Sequence, residues 1–177
     1  GSINVAGDSG RGGDLVVEGE TITIGSGADF EASGSRGGGS MMVGGGFQGE
    51  DVTVENAETL LVEKGASFTA DAIDEGNAGV VIAWADEETE FRGTISAQAL
   101  GTSGDGGFVE VSGKERLLFD GTVSTLSAFG RTGTLLLDPT DFNVTPGNAA
   151  GTVNGIGDVT LENMLATNNV TIATDAG

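Results

Sequence analysis

Residues 79–99 read GVVIAWADEETEFRGTISAQA, residues 107–127 read GFVEVSGKERLLFDGTVSTLS, and residues 133–144 read GTLLLDPTDFNV. Gly79 and Gly107 are 28 residues apart, as are Gly93 and Gly121, so the first two copies align without a gap. The third copy opens 26 residues after the second. In each full copy a glycine opens an apolar strand, a charged turn follows, and a Phe-x-Gly-Thr-β-branched-Ser step closes it. A fixed period in this range, built of strands and glycine turns, marks a solenoid.

The periodicity within a copy decides which solenoid. Val81/Ala83, Val109/Val111, Leu135/Leu137, Phe91/Ile95 and Leu117/Phe119/Val123 sit at alternating positions, with no helical stripe of useful length. Alternation means strands with one buried face. Equivalent strands run the same way, so stacked copies form parallel sheets, and about 28 residues hold three short strands and their turns. That is one coil of a parallel β-helix, with like side chains piled on like into a rod. Phe91 and Phe119 then stack as core packing, at the roughly 4.8 Å spacing of neighbouring strands.

The repeat reaches back to the start of the chain. The stretch from Gly27, GADFEA, returns from Gly65 as GASFTA, 38 residues later. The ten extra residues are expected near residues 47–56 (FQGEDVTVEN) as an excursion from the coil. Ser40-Met41-Met42-Val43 matches the opening strand of the later copies. Residues 139–177 read as a variant last coil, with an Asn154-Gly155 turn signal and one short helix over residues 160–166, N-capped by Thr160. Residues 169–174 return to strand. The whole of 1–177 is thus expected to be one β-helical segment, and the missing caps suggest an excerpt of something longer.

Composition removes several classes. The chain has 27 acidic and 7 basic residues, a net charge of −20, which opposes nucleic acid and anionic membranes. It has no Cys and no His, so disulfides, thiolate metal sites and His-dependent triads are out. No apolar run approaches the roughly 18 residues of a spanning helix.

At GGFVEVSGKERLLFDGTVSTLSAFGRTGTLLLDPTDFNV the chain resembles the two-partner-secretion exoproteins of bacteria, the filamentous-haemagglutinin-like adhesins. The likeness extends to VVIAWADEETEFRGTISA before it and NVTIATDAG at the end, and the GTLLLDP step is its most specific part. The resemblance implies an all-β, right-handed parallel β-helix in a long fibre on, or shed from, the surface of a Gram-negative cell. It implies adhesion to cells or matrix polysaccharide, hence a carbohydrate or cell-surface receptor as partner, with self-association of fibres open. The family's Asn-Pro-Asn-Leu-type secretion signal has no match here. The chain is therefore expected to be a passenger segment, with recognition by the outer-membrane transporter lying outside it.

Three features stand as candidate sites. If Val81 and Ala83 face the core, then Val80, Ile82 and Trp84 face out, beside Met42, Phe108 and Leu136 of neighbouring coils. So large an apolar strip needs cover, from the excursion or the tail, or else a ligand. A bare Trp84 beside the acids Asp86 and Glu88 would suit a sugar. The run Asp86-Glu87-Glu88-x-Glu90 is also the densest charge, offering weak surface calcium coordination. A polysaccharide lyase or hydrolase would take its acids from this run and its base from Arg92 or Arg116. The equivalent turn, Lys114-Glu115-Arg116, swaps the charge, which fits surface drift and an ion pair between coils better than catalysis. Gly104-Asp105-Gly106-Gly107 is a single, faint copy of a calcium repeat. No enzyme activity, resident metal or cofactor is expected; a spacer that binds nothing is the remaining alternative.

Overall fold

The computed structural model describes residues 1–149 and 151–174, so the Asp175–Gly177 end of the NVTIATDAG match lies outside the described residues. The chain winds in coils, and each of the first four contributes one strand to each of three sheets. The first coil holds β1 (Ser2–Asn4), β2 (Asp14–Val17) and β3 (Thr21–Ile24), and the second β4 (Asp29–Glu31), β5 (Ser40–Val43) and β6 (Thr59–Val62). The third holds β7 (Ser67–Thr69), β8 (Val80–Ala85) and β9 (Glu88–Phe91), and the fourth β10 (Thr94–Ser96), β11 (Phe108–Gly113) and β12 (Arg116–Phe119). The last circuit has β13 (Thr122–Ser124), β14 (Thr134–Leu137), β15 (Asn143–Thr145), β16 (Gly155–Gly157), the helix α1 (Asp158–Leu165) and β17 (Asn169–Ile172).

Every named strand pairs in parallel with its equivalents. The sheets are β1-β4-β7-β10-β13, β2-β5-β8-β11-β14-β17 and β3-β6-β9-β12, with β15-β16 as a separate pair. The registers are those of the repeat: Val81 lies opposite Val109, Phe91 opposite Phe119, and Phe30 opposite Phe68. A corner ladder of small residues, Gly7, Gly34, Ala72, Ala99 and Ser127, continues one face from coil to coil. This is a parallel β-helix. Its coils rise by about 4.8 Å each, so five of them span only about 24 Å.

Side chains pointing inward from all three sheets form one core. Its axis is an aromatic column: Phe30 meets Phe68 edge-on at 5.1 Å, Phe68 lies 6.1 Å from Phe91, and Phe91 stacks on Phe119 at 5.9 Å and 9°. The centroid spacing exceeds the backbone repeat because the rings are offset along the axis, as aromatic pairs prefer. Thr89 is the polar exception, wholly buried, with Oγ1 donating to the Ser112 carbonyl at 2.7 Å.

The last coil departs from the sequence reading in one respect. The helix spans Asp158–Leu165 and Gly157 occupies its N-cap position, so Thr160 lies inside the helix instead of capping it. Asp158 supplies what a cap would, its Oδ1 accepting from Val159 N at 2.7 Å and from Gly147 N at 2.8 Å. An acid in the first turn also complements the positive end of the helix.

Candidate functional site

The two faces of the six-stranded sheet explain the site. On β8 the inward residues Val81 and Ala83 are buried, but so are the outward Ile82 and Trp84, at 2% and 4% exposure. Leu136 of β14 is buried on the same outer face. The expected excursion is the cover. Residues 44–57 leave after β5 and return before β6, and the ends of this strap are tied by Ala57 N–H donating to the Gly44 carbonyl at 2.8 Å. A single 3-10 turn, Phe47–Gly49, lies against β8. Phe47 sits edge-on to Phe108 at 5.7 Å. Gly45 and Gly49 back onto the Trp84 indole so closely that a Cβ at either would lie 2.6 Å from it.

Of the three residues expected to bind ligand, Trp84 and Asp86 come together and Glu88 does not join them. Trp84 Nε1 donates to Asp86 Oδ1 at 3.1 Å, and Asn56 Nδ2 donates to the same oxygen at 3.1 Å. Asn56 also reaches the Gly49 carbonyl at 2.9 Å, and Asp86 N donates to the Ala57 carbonyl at 2.8 Å. Asp86 thus clamps the strap onto the tryptophan. Trp84 is not the bare stacking platform a sugar would need, because the strap's glycines cover its indole.

The charged run divides among separate partners. Glu88 pairs with Arg116 of the next coil at 2.5 Å, the ion pair between coils that the charge swap implies, while Glu90 pairs with Arg92. Both pairs are at the surface, where such contacts contribute under about 1 kcal/mol. Both arginines expected as a catalytic base are occupied in this way. Among the described residues no group of three or more carboxylates converges to hold a metal ion. Asp105 of the faint calcium repeat is a turn staple, its Oδ1 accepting from Arg131 N at 2.9 Å.

Between the strap and the turns that follow β8, β11 and β14 lies a cleft of about 360 Å³, lined by Gln48, Glu50, Asn56, Asp86, Lys114 and Asp138 among others. Two buried acids that sequence reasoning missed lie here, Glu110 under the strap and Asp138 in the lining of the cleft. Glu110 is wholly buried, in register between Ile82 and Leu136. Its carboxylate accepts the Gln48 backbone N–H at 3.2 and 3.3 Å, and Gln48 Nε2 donates to Asp138 Oδ2 at 2.7 Å. Burial foremost, then the nearby charge of Asp138, pushes the Glu110 carboxyl up to about 7, against hydrogen bonds from Gln48 and Ser112 that lower it. The signal was present in FVEVSG, a lone acid at an outer position of an otherwise apolar strip. A third buried acid, Asp71, staples coils elsewhere, accepting from Ser96 Oγ and Gln98 N at 2.7 Å each, and burial raises its pKa.

No protein-family model matches the chain. No curated protein matches it either. Among solved structures the chain is similar to the secretion domain of HMW1 from Haemophilus influenzae. The TM-score is 0.57 and the sequence identity 29%, over 72% of this chain but 36% of that one, so this chain spans little more than a third of its neighbour's length.

Proposed function

We propose that the chain is a β-helical segment of an exported bacterial surface fibre of the two-partner-secretion type, serving as structure and as adhesive surface towards cells or matrix polysaccharide. The observation that carries this reading is the structural likeness to the HMW1 secretion domain at 29% identity, added to the GTLLLDP resemblance in the sequence. The backbone and core are consumed in building coils, so contact with a carbohydrate or cell-surface receptor falls to the outer faces. The strap cleft, with Glu50, Asp86 and Lys114 at its walls, is a concave polar surface suited to it. Nucleic acid is disfavoured as a partner by the net charge of −20.

A glycan array and a bacterial-cell binding assay test the adhesive part. Binding that weakens in Lys114→Ala and Glu50→Ala supports the cleft as the contact; uniform absence of binding leaves a spacer that positions other domains. Catalysis is not part of the proposal. Release of products from acidic or neutral polysaccharides, abolished by Asp86→Ala or Arg92→Ala, would replace adhesion with a lyase or hydrolase.

The neighbour's own description favours a second reading, in which this coil stack takes part in secretion instead of being only a passenger. Retention of the purified chain by an outer-membrane two-partner transporter supports that reading. Free passage over the immobilised transporter returns recognition to a region outside the segment.

A further inference from the structure

The strap is pinned at two carboxylates on the outer face of the six-stranded sheet and the turn after it. Glu110 lies wholly buried under Gln48, and Asp138, 7% exposed, receives Gln48 Nε2 on one oxygen while its other oxygen, Oδ1, has no hydrogen-bond partner. Burial resists a charge on Glu110, and the nearby charge of Asp138 adds to that resistance. A single proton answers both problems.

We propose that residues 44–57 form a proton-operated latch: a proton on Glu110, buried beneath the Gln48 turn of the strap, holds the strap closed over the six-stranded sheet, and its loss loosens the strap. The charged groups around the pair come from every element packed there. Asp138 follows β14, Glu50 lies on the strap, Asp86 follows β8, and Lys114, the one cation lining the cleft, follows β11. Ile82 and Leu136 flank Glu110 with no charge of their own. Lifting the strap returns Glu110 to water and to an ordinary carboxyl near 4.5, whereas the closed form keeps it near 7. Opening therefore releases one proton to solvent in that window. Its equilibrium rises by up to tenfold per pH unit between about 5 and 7, and levels off above. Trp84, the only tryptophan in the chain, lies directly beneath and reports the movement.

The test is hydrogen exchange of the whole chain from pH 5 to 8.5, corrected for the intrinsic pH dependence of exchange, with acrylamide quenching of Trp84 alongside. The expected result is protection at Gln48, Gly49 and Ala57 that falls up to tenfold per pH unit to about pH 7 and then flattens, while amides of β9 and β12 hold steady. Quenching of Trp84 rises over the same range. Glu110→Gln, which retains a side-chain donor without the charge, should keep the strap closed at every pH. A flat profile in the wild type, or an unchanged slope in Glu110→Gln, overturns the proposal. Should that variant fail to fold, Asp138→Asn decides: removing the neighbouring charge moves the rise to lower pH, and a rise that stays in place counts against the latch.

Discussion

Gly49 shows how one position can carry a whole segment. It takes a left-handed φ of +67°, and a Cβ there would meet the Trp84 indole at 2.6 Å. Gly49→Ala therefore suffers twice, from backbone strain and from an overlap that only lifting the strap relieves. It should lower stability by about 1–3 kcal/mol and red-shift Trp84 emission, and an unchanged spectrum would mean the strap does not bear on the indole. Glu110 acts at the same scale through charge. Its carboxyl is raised to about 7 in the folded chain from an ordinary 4.5. Its contribution is thus fully present below about 4.5 and is lost as pH climbs through 7, a penalty of up to about 3 kcal/mol. Thermal unfolding should show stability falling from pH 5 to 8 in the wild type, with this component missing in Glu110→Gln.

At the level of elements, the coils repeat wherever the chain repeats, and improvise where it does not. The alternation of Val81/Ala83 and Leu117/Phe119 was readable because inward positions are filled by the same chemistry in each copy, and the registers follow it residue for residue. The strap was readable as ten surplus residues, but an outer strip too apolar to stand in water left the excursion, the tail or a ligand as candidates to cover it. The strap's fastening was not readable. Gln48 reaches Glu110 and Asp138 across 62 and 90 residues, contacts for which local pattern holds no trace. The same limit misplaced the helix start, since Asp158 takes its partner from Gly147 in a separate turn. The last coil is held in a similar way by Asn154, whose Oδ1 accepts from Leu117 N at 2.7 Å and whose Nδ2 reaches the Glu115 carbonyl at 3.0 Å. It sits at φ +48°, a conformation Asn tolerates better than most residues. Asn154→Ala strips the edge of β12 of this partner and should cost about 1–3 kcal/mol, with faster exchange at Leu117 than at Leu60. Equal exchange at both would show that the last coil is anchored elsewhere.

Over the whole molecule, acids outnumber bases by 20 in a body whose coils rise only about 24 Å. Five of the seven cations are already engaged at the surface, in Arg11–Asp14, Arg36–Glu75, Arg92–Glu90, Arg116–Glu88 and Arg131–Asp105. Two effects of salt then oppose each other. Screening weakens these exposed pairs, each contributing under about 1 kcal/mol. It also weakens mutual repulsion among all the remaining carboxylates, which lie within a few Debye lengths of one another at about 10 Å per length in 0.1 M salt. The repulsive pairs are far more numerous, so relief of repulsion wins, and the melting temperature should rise by several degrees between 10 and 200 mM NaCl. A fall would mean that these surface ion pairs, and not repulsion among the remaining carboxylates, dominate the charge response of the fold.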